Sequence, residues 1–540
     1  MNKNQKKLSD LLHFFDININ SISKTHPGLF PAFRSEDEII NDPETDRFRE
    51  CVGYMLSQAE TNFTDRFTDR KNNSLSTYIE EWFEPLTSSL ILQANINKDN
   101  IYSLNLIPEK SNFYFNNKGK NPNIFNNPIP IEILPIEIYE STFELLNNKN
   151  NIHIKIKILQ DLKELPKISL YFESYKISSF YKVLDEILIT KDDVIFKCKS
   201  NKIPLNRKVL NYSFKTKFDL SIFKNSNLSY YLFQFANYIN NYTFIDFNTS
   251  DLKISFKEGD EIELIIPINE SSKELTKVKN FVHANCFAVK NTTEKQGDPF
   301  KLKKGTKGFY TLDRASKKNL INFSHLEFFN KEHKNIDLKI NDDYEIIKKY
   351  ITFEKKLDII YYLKIKNELP EDLILVPYFK TSNLTESHFI QLNSNFFIKN
   401  NKRLVFSNIT TPTKTTFFFE FFNDEVFYKN LFKLNNALIS SNFSIINFLN
   451  ILSKFSEISI NYKGIIPKIM EQFHIQNEMN SLKYNFVVNK TMLLNEYSVD
   501  IFVDKQKFKF GGITLLFQFI NELTNKISGI GFKINLNIHW

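Results

Sequence analysis

The sequence contains too few cysteines and glycines for several common kinds of functional site. Of its 540 residues only 3 are cysteines, Cys51, Cys198 and Cys286. This odd, sparse set gives no disulfide framework and suits a reducing compartment. Only 12 residues are glycines, and the segment Gly305-Thr306-Lys307-Gly308 lacks the length and the terminal Lys-Ser/Thr of a phosphate-binding loop. The composition therefore gives no sign of a disulfide scaffold or of a nucleotide-binding loop.

Long hydrophobic runs are also missing. The nearest candidate, Ile513–Ile520, is interrupted by polar residues and falls short of the roughly 18 apolar residues that a membrane-spanning helix needs. The first residues, Met1–Lys7, are basic, but polar residues break the following Leu8–Phe15 stretch, which argues against a signal peptide. We therefore expect a cytoplasmic protein without direct membrane insertion.

Motifs for catalysis and metal binding are absent from the sequence. No CxxC, HxxxH or HExxH pattern occurs, and the eight-residue spacing of His325 and His333 fits no common metal site. His283 lies three residues before Cys286, so a Cys/His pair is conceivable. The apolar, strand-like segment around them favours a buried structural cysteine instead. We expect no catalytic, cofactor-binding or metal-binding residues, and no enzyme activity.

The charge of the chain is only weakly basic. Lys and Arg number 70 against 62 Asp and Glu, a net charge of +8, and the basic residues are spread evenly. A nucleic-acid-binding protein usually concentrates them on one face. The densest cluster is Lys301, Lys303, Lys304 and Lys307, which is either a solvated turn or a patch that meets an acidic partner. An unrelated nucleic-acid-associated protein stays an alternative, and a steep salt dependence of binding would distinguish it.

Aromatic residues are abundant, with 54 Phe and 23 Tyr, and predict aromatic-rich cores. The pattern predicts an α+β, multidomain protein in which an N-terminal helical segment precedes mostly β and mixed α/β domains. The predicted domains are a helical region at 1–89, a mixed β/α domain at 90–275, a mainly antiparallel β domain at 276–426 and an α+β domain at 427–540.

The periodicity of the apolar residues predicts the bounds of several strands and helices. Strands are expected at Ile168–Phe172, Val194–Cys198 and Phe244–Phe247, with a helix at Phe180–Ile187 between the first two. Near the C-terminus, Gly511 and Gly512 precede an apolar helical face of Leu515, Leu516, Phe519 and Leu523. The closing segment Phe532–Ile538 alternates apolar and polar residues, which predicts a strand with one buried face.

The N-terminal region predicts a helix with one apolar stripe. Asn41 and Asp42 can cap it, and Pro43 suits its first position. Apolar residues then recur at helical spacing, at Phe48, Cys51, Val52, Met55, Leu56 and Ala59. This stripe either joins an intramolecular core or meets a partner. A second helix is predicted over Leu75–Phe83, ended by Pro85.

Several segments in one order carry a family resemblance. They are Asp42–Phe48, Tyr78–Gln93, Tyr231–Phe247, Phe281–Asn291, Asn408–Thr413, Leu431–Ser453 and Phe510–Asn535. In this order they resemble the TssF family (also called VasA or ImpG), the baseplate wedge subunits of type VI secretion systems. The sharpest segment is Asn285-Cys286-Phe287-Ala288-Val289-Lys290-Asn291, where the family has a proline at the position of Ala288. The chain is therefore identified as a divergent member.

The resemblance implies a structural role in a contractile injection machine. TssF-like proteins pair with a second copy of themselves and with a TssG-like subunit. The wedges surround a VgrG-like hub, carry TssK-like adaptors and support the sheath with a TssE-like component, docked at the inner-membrane complex. The partner-binding residues implied are Phe48, Val52, Met55, Leu56, Trp82 and Phe83. A secreted effector of such a system is the alternative, and it would need a catalytic cluster that the sequence does not show.

Overall fold

The computed structural model describes most of the central part of the chain and shorter pieces at both ends. The described residues are 9, 12, 13, 47, 50–59, 86–96, 106–115, 122–146, 149–165, 167–176, 179–199, 201–213, 234–235, 238–249, 252, 254–269, 274–305, 307–312, 320–340, 342–353, 356–369, 371–382, 390–399, 401–413, 415, 484–490, 495–502, 512, 514–516, 518–519, 521–522 and 532–539. The predicted helix Leu75–Phe83 lies outside these residues, as do Phe48, Trp82 and Phe83.

Strands dominate the described residues. They are, in chain order, β1 (Ser89–Asn95), β2 (Leu106–Ile107), β3 (Asn112–Phe115), β4 (Asn123–Asn126), β5 (Ile131–Glu132), β6 (Ile136–Leu146), β7 (Lys149–Ile158), β8 (Ile168–Phe172), β9 (Val194–Cys198), β10 (Asn201–Leu205), β11 (Leu210–Ser213), β12 (Phe244–Phe247), β13 (Glu261–Ile268), β14 (Val282–His283), β15 (Cys286–Lys290), β16 (Thr293–Gln296), β17 (Phe300–Leu302), β18 (Gly308–Thr311), β19 (Leu320–Phe329), β20 (Asn335–Ile336), β21 (Tyr344–Phe353), β22 (Lys356–Ile365), β23 (Leu373–Thr381), β24 (Asn395–Ile398), β25 (Asn401–Asn408), β26 (Tyr484–Lys490), β27 (Asn495–Phe502) and β28 (Phe532–His539).

Helices are fewer. The main one, α1, spans Phe180–Ile189, and further helical residues lie at 51–59 and between 514 and 522. Short 3-10 helices occur at Ser174–Lys176, Arg207–Val209, Ile239–Tyr242 and Leu275–Lys277. The predicted β-rich α+β fold class is therefore confirmed.

Two compact units make up the chain, and each is assembled from separated segments. The first unit comprises Met1–Glu80, Lys301–Arg314 and Phe328–Ile374. The second unit comprises Glu81–Phe300, Ala315–Glu327 and Leu375–Trp540. The division into four consecutive domains stays a prediction.

A closed barrel forms the centre of the second unit, in the strand order β1-β15-β4-β3-β24-β25. Alternate residues of β1 and β15, such as Leu90, Leu92 and Phe287, point to a core inside the barrel. Aromatic rings fill this core, and Phe113 contacts both Phe287 and Phe406, with ring centroids 5.3 and 5.1 Å apart. Full burial of one such side chain is worth roughly 1.5–3 kcal/mol. The barrel core therefore contains part of the many aromatic residues of the sequence.

The outer face of the same barrel strands is buried too. Ile91, Cys286 and Ala288 pack against Tyr171 and Phe244 of a four-stranded sheet, ordered β11-β12-β8-β14. Because both faces of the central residues are covered, Leu90–Leu92 of β1 and Cys286–Val289 of β15 are continuous apolar runs. Cys286 therefore lies in an apolar layer between barrel and sheet.

A five-stranded antiparallel sheet, ordered β10-β9-β13-β7-β6, completes the centre of the second unit. Helix α1 packs against β13 and β11. It buries Phe180, Val183, Leu184 and Ile187, which recur at helical spacing on one face. The β-α-β order that runs from β8 through α1 to β9 is present, but β8 and β9 belong to different sheets.

The C-terminal residues form a parallel pair joined by a helix. Strand β28 runs parallel to β27 in register from Asn495↔Phe532 to Phe502↔His539, and β26 pairs antiparallel on the other side of β27. The described residues between 514 and 522 supply the helical crossover that parallel strands require. The predicted helix after Gly512 and the closing strand are both confirmed.

The first unit contains a three-stranded antiparallel sheet, ordered β18-β22-β21. Strands β21 and β22 form a hairpin that pairs from Tyr344↔Ile365 to Phe353↔Lys356. One face of this sheet is buried, through Tyr344, Tyr361 and Leu363. The helix over residues 51–59 belongs to the same unit.

Candidate partner-binding surfaces

The N-terminal helix presents the predicted apolar stripe to solvent. Met55 is 69% exposed and Leu56 is 45% exposed, while Val52 is half-buried. Tyr54, at 55%, is exposed beside them. Of the six predicted partner-binding residues, Val52, Met55 and Leu56 thus share one region of the helix surface. Phe48, Trp82 and Phe83 lie outside the described residues.

Small residues form the buried side of the same helix. Gly53 and Ser57, four residues apart, are both buried. The Ser57 hydroxyl donates to the Tyr54 carbonyl at 2.8 Å. The side turned inward thus carries little apolar area, and the large apolar side chains lie on the side turned outward. Such an arrangement is typical of a helix that packs against another chain.

Cys286 and His283 do not form a nucleophilic pair. The Cys286 thiol donates to the Ala284 carbonyl at 3.3 Å, and burial, together with the nearby Glu173 carboxylate, raises the pKa of this thiol well above its usual range. The thiolate, which is the nucleophile, is therefore disfavoured. His283 places Nε2 2.8 Å from Oε1 of Glu173 instead. This arrangement suits a buried structural cysteine.

The segments that carry the family resemblance have structural roles in the barrel. Asn285 adopts the left-handed conformation at φ 55°, and its side chain accepts from the Leu134 amide at 2.8 Å and donates to the Leu134 carbonyl at 3.0 Å. Asn408 is fully buried and donates to the carbonyls of Gln391 and Thr410 at 3.0 Å each. Both asparagines fix the ends of barrel strands.

The stretch after Asn408 closes the barrel onto its first strand. The Thr410 hydroxyl accepts from the Ile91 amide, and the Thr413 hydroxyl accepts from the Ser89 amide, both at 2.9 Å. These contacts join residues separated by 319 and 324 positions. These motif residues therefore hold distant strands of the barrel together.

Opposite charges alternate across the outer face of the five-stranded sheet. Lys155 of β7 binds Glu140 of β6 at 2.7 Å, and Lys197 of β9 binds Glu263 of β13 at 2.8 Å. His153, which is buried, places Nδ1 2.7 Å from Glu263. Burial alone would raise the pKa of Glu263, but the hydrogen bonds from Lys197 and His153 outweigh it and lower that pKa. We call this set the charge ladder, and its charges are largely neutralised by one another.

The lysine cluster at 301–307 belongs to the first unit and is exposed. Asp372 holds its turn, because its carboxylate accepts from the Lys304 amide at 2.8 Å and binds Lys331 at 3.1 Å. The hydrogen bond from that amide and the one from Lys331 lower the pKa of Asp372. Lys307 lies 3.4 Å from Glu368. The cluster is therefore a solvated turn with acidic neighbours at its base.

Sequence reasoning missed a carboxylate that links two helices. Asp185 on α1 is buried, and it accepts from the amides of Gly512 at 2.6 Å and Thr514 at 3.2 Å. These amides begin the C-terminal helix, where free N–H groups and the helix dipole favour a negative charge. The only signal in the sequence was an acidic residue on the apolar side of a predicted helix.

In the part of the chain that the structure describes, no group of three or more His, Cys, Asp or Glu side chains is arranged to hold a metal ion. None of the helices formed by those residues has the length and apolarity needed to cross a membrane.

Comparison with known proteins identifies the fold. No protein-family model and no curated protein matches the chain. Among solved structures, the chain is similar to a chain in the cryo-electron microscopy structure of the type VI secretion system TssK-TssF-TssG baseplate subcomplex, with a TM-score of 0.60 and 11% sequence identity. The similarity covers 91% of this chain and 96% of that chain. The protein thus has a TssF-like fold, that of a type VI secretion baseplate subunit, as the resemblance in its sequence predicted.

Proposed function

We propose that the chain is a structural wedge subunit of a contractile type VI secretion baseplate. The observation that carries this proposal is the extent of the fold similarity, which covers 91% of this chain and 96% of the compared one. A likeness confined to one domain could come from a widespread fold that serves many functions. A similarity that extends along nearly all of both chains supports the proposal that the two proteins have the same role in their assemblies.

The proposed role is mechanical and not catalytic. A closed barrel has no free sheet edges, and its aromatic core is packed from strands that lie far apart in sequence. A core assembled from such distant segments suits a structural subunit. The Cys286 thiol donates to the Ala284 carbonyl and His283 contacts Glu173, so these two residues do not supply a nucleophile and its base.

The proposed partners are a TssG-like subunit and a TssK-like adaptor, because the compared structure is named for a complex of TssF with both. A second copy of the chain, a VgrG-like hub and a sheath or TssE-like component are proposed from the sequence resemblance. In this role the protein lies in the cytoplasm and reaches the inner membrane through other subunits. It binds no nucleic acid.

The N-terminal helix is the proposed contact with the TssG-like subunit or the second copy. Met55 and Leu56, which are exposed, and Val52, which is half-buried, offer large apolar side chains of the kind that dominate protein interfaces. Phe48, Trp82 and Phe83 are proposed as further contacts from the sequence alone. Burial of one such side chain is worth roughly 1.5–3 kcal/mol.

A pull-down of the tagged chain from its native cells tests both proposals. We expect TssG-like and TssK-like subunits to co-purify with the wild type. Met55→Asp places a charge in the proposed contact, so the TssG-like subunit should be lost while circular dichroism stays unchanged. Leu392→Asp is the matched control, because Leu392 is an exposed leucine (42%) of the second unit.

Two outcomes would contradict these proposals. A folded wild-type chain that recovers none of these subunits would argue against the baseplate role. Equal recovery of partners by Met55→Asp and Leu392→Asp would leave the baseplate role in place but remove the N-terminal helix as the contact.

A further inference from the structure

A cavity of about 280 Å³ adjoins the apolar layer between the barrel and the four-stranded sheet. It is lined by residues 129–132 and 134 around β5, by 167 and 169 at the start of β8, and by 285–287 at the start of β15. All of these residues belong to the second unit. We call this space the β5 cavity.

The floor of the β5 cavity is apolar. Ile131, Leu134 and Phe287 line it and are buried, with 7, 8 and 3% exposure. Cys286 lies beside them, and its thiol already donates to the Ala284 carbonyl. An occupant of the cavity is therefore held mainly by apolar contact with this floor.

Most polar groups around the β5 cavity are engaged within the chain. The Lys167 ammonium group lies 2.5 Å from the buried Asp246 carboxylate, which also accepts from the Ser169 hydroxyl. Asn285 bonds to main-chain groups through both its oxygen and its nitrogen. Glu132 differs, because it is exposed and no ion pair or hydrogen bond with a described residue engages it. The unbalanced charge among the lining residues is therefore negative.

An exposed leucine extends the site beyond the mouth of the cavity. Leu106 of β2 lies directly opposite Glu132 of β5, so the two side chains emerge on the same face of this two-stranded sheet. Leu106 is 61% exposed. The site thus combines an apolar cavity with a carboxylate and an apolar side chain at its edge, which together are typical of a binding surface.

The volume of the β5 cavity limits what can occupy it. An apolar cavity of about 150 Å³ holds one benzene molecule. Pockets that bind cofactors or drug-sized ligands span roughly 300–1,000 Å³. At about 280 Å³ the β5 cavity has room for a single large side chain and is small for a cofactor.

We propose that the β5 cavity receives an aromatic side chain of a partner protein, with an adjacent lysine or arginine of that partner bound to Glu132. The volume and the apolar floor select one large apolar side chain, and the unbalanced carboxylate selects a neighbouring cation. An apolar anchor in a buried cavity is typical of the few residues that dominate the binding energy of an interface. The inference goes beyond the baseplate role, because it gives a docking site and the chemistry of the segment that fits it.

Fluorescence anisotropy with the full-length chain tests the proposal. The probe is a fluorescein-labelled peptide in which lysines flank a phenylalanine, and the comparison peptide has glutamates at the same positions. Because the chain carries a net charge of +8, non-specific attraction favours the acidic peptide. We expect the basic peptide to bind at least about tenfold more tightly, since the local carboxylate attracts its lysines.

Two substitutions test the two parts of the site separately. Ile129→Trp should fill the cavity from its half-buried rim and raise the Kd of the basic peptide at least about tenfold. Glu132→Lys changes an exposed side chain, and it should raise this Kd at least about fivefold and narrow the difference between the two peptides. Circular dichroism establishes that each variant is folded.

Matched controls make the same two changes in the first unit. Ile340→Trp and Glu371→Lys alter exposed residues and should leave the Kd within about twofold of the wild type. The proposal is wrong if the acidic peptide binds as tightly as the basic one, or if the folded cavity variants bind like their controls. It is also wrong if phenethylamine, an aromatic ring with a cation but no peptide chain, displaces the basic peptide at a concentration equal to the peptide's own Kd, because the site would then select a small molecule.

Discussion

Asp185 is a single residue that decides how two distant helices meet. Its carboxylate accepts hydrogen bonds from the amides of Gly512 and Thr514, which lie 327 and 329 residues further along the chain. Phe519 of the C-terminal helix stacks on Phe235 with ring centroids 4.3 Å apart, so the helix is also held by aromatic packing. The Asp185 carboxylate thus fixes where the helix begins, and the contact between Phe519 and Phe235 fixes which face of the helix is buried.

Removal of this carboxylate should loosen the C-terminal helix without unfolding the barrel. Asp185→Ala leaves two buried amides without their acceptor, and we expect a loss of about 1–2 kcal/mol in the free energy of unfolding. Hydrogen exchange of residues 514–522 should speed up, while that of β1 stays slow. Asp193→Ala is the control, because it removes an exposed carboxylate near the same helix. Equal exchange in the two variants would show that Asp185 is no cap.

Lys290 is a cation placed where charge is disfavoured. Burial, with a smaller contribution from the positive charge of Lys380, lowers the pKa of Lys290 to about 8. The ammonium group lies 5.5 Å from the centre of the Tyr238 ring, a contact that only partly offsets the lost hydration. Between pH 8 and 10.5 the unfolded chain therefore binds more protons at this residue than the folded chain, so its contribution to stability rises with pH.

The Lys290→Met variant makes this contribution measurable. At pH 7 the lysine is charged in both states, so the variant should unfold at a temperature roughly 2–4 °C higher than the wild type. The difference should shrink toward pH 9.5, because the folded wild type then carries a neutral lysine. Thermal unfolding at several pH values measures it. A difference in Tm that does not change with pH would contradict the lowered pKa.

Elements with regular periodicity could be predicted closely from the sequence. The strands Ile168–Phe172, Val194–Cys198 and Phe244–Phe247 match the structure at both ends, and α1 extends its prediction by two residues. The pairing of these strands could not be predicted, since β8 and β9 flank one helix but join different sheets. Strand β8 pairs with β12 and β14, and β9 pairs with β10 and β13. Most of these partners lie well outside the local sequence, so no local pattern contains that information.

The N-terminal helix shows the same limit for a candidate site. Its spacing predicted an apolar stripe, but whether that stripe is buried depends on what packs against it. The outward face of the β18-β22-β21 sheet was invisible for a related reason, because Phe309, Tyr362 and Lys349 share that face only through strand register. Asp185 and Asn285 were missed as well, since their roles depend on acceptors and donors in other elements.

The closing strand β28 should be essential to the C-terminal sheet. It pairs with β27 along eight residues and completes the crossover that begins with the helix after Gly512. Deletion of residues 532–540 should make β26 and β27 sensitive to limited proteolysis and should block co-purification of partners. Deletion of Trp540 alone, beyond the last paired residue His539, is the control. Full resistance to protease after the longer deletion would contradict a structural role for β28.

At the scale of the whole molecule, the barrel ties together segments that the sequence suggested were separate. Strand β1 pairs with β15 through Leu90↔Val289 and with β25 through Ala94↔Phe406. The predicted boundary between residues 275 and 276 leaves β1, β3 and β4 on one side and β15, β24 and β25 on the other. We expect these strand pairings to form late in folding, because each one requires a long loop of chain to close.

The two predicted domains on either side of this boundary should therefore fail to fold alone and should fold when combined. Fragment 90–275 contains Phe113 and Phe125 but lacks Phe287, Phe396 and Phe406, so half of its barrel core would face water. We expect each of the fragments 90–275 and 276–426 to lack near-ultraviolet circular dichroism and a cooperative urea transition, and a mixture refolded together to regain both. The full-length chain is the reference for both signals. A cooperative transition in fragment 90–275 alone would instead support independent domains, because a half barrel with an exposed aromatic face cannot hold a fixed structure.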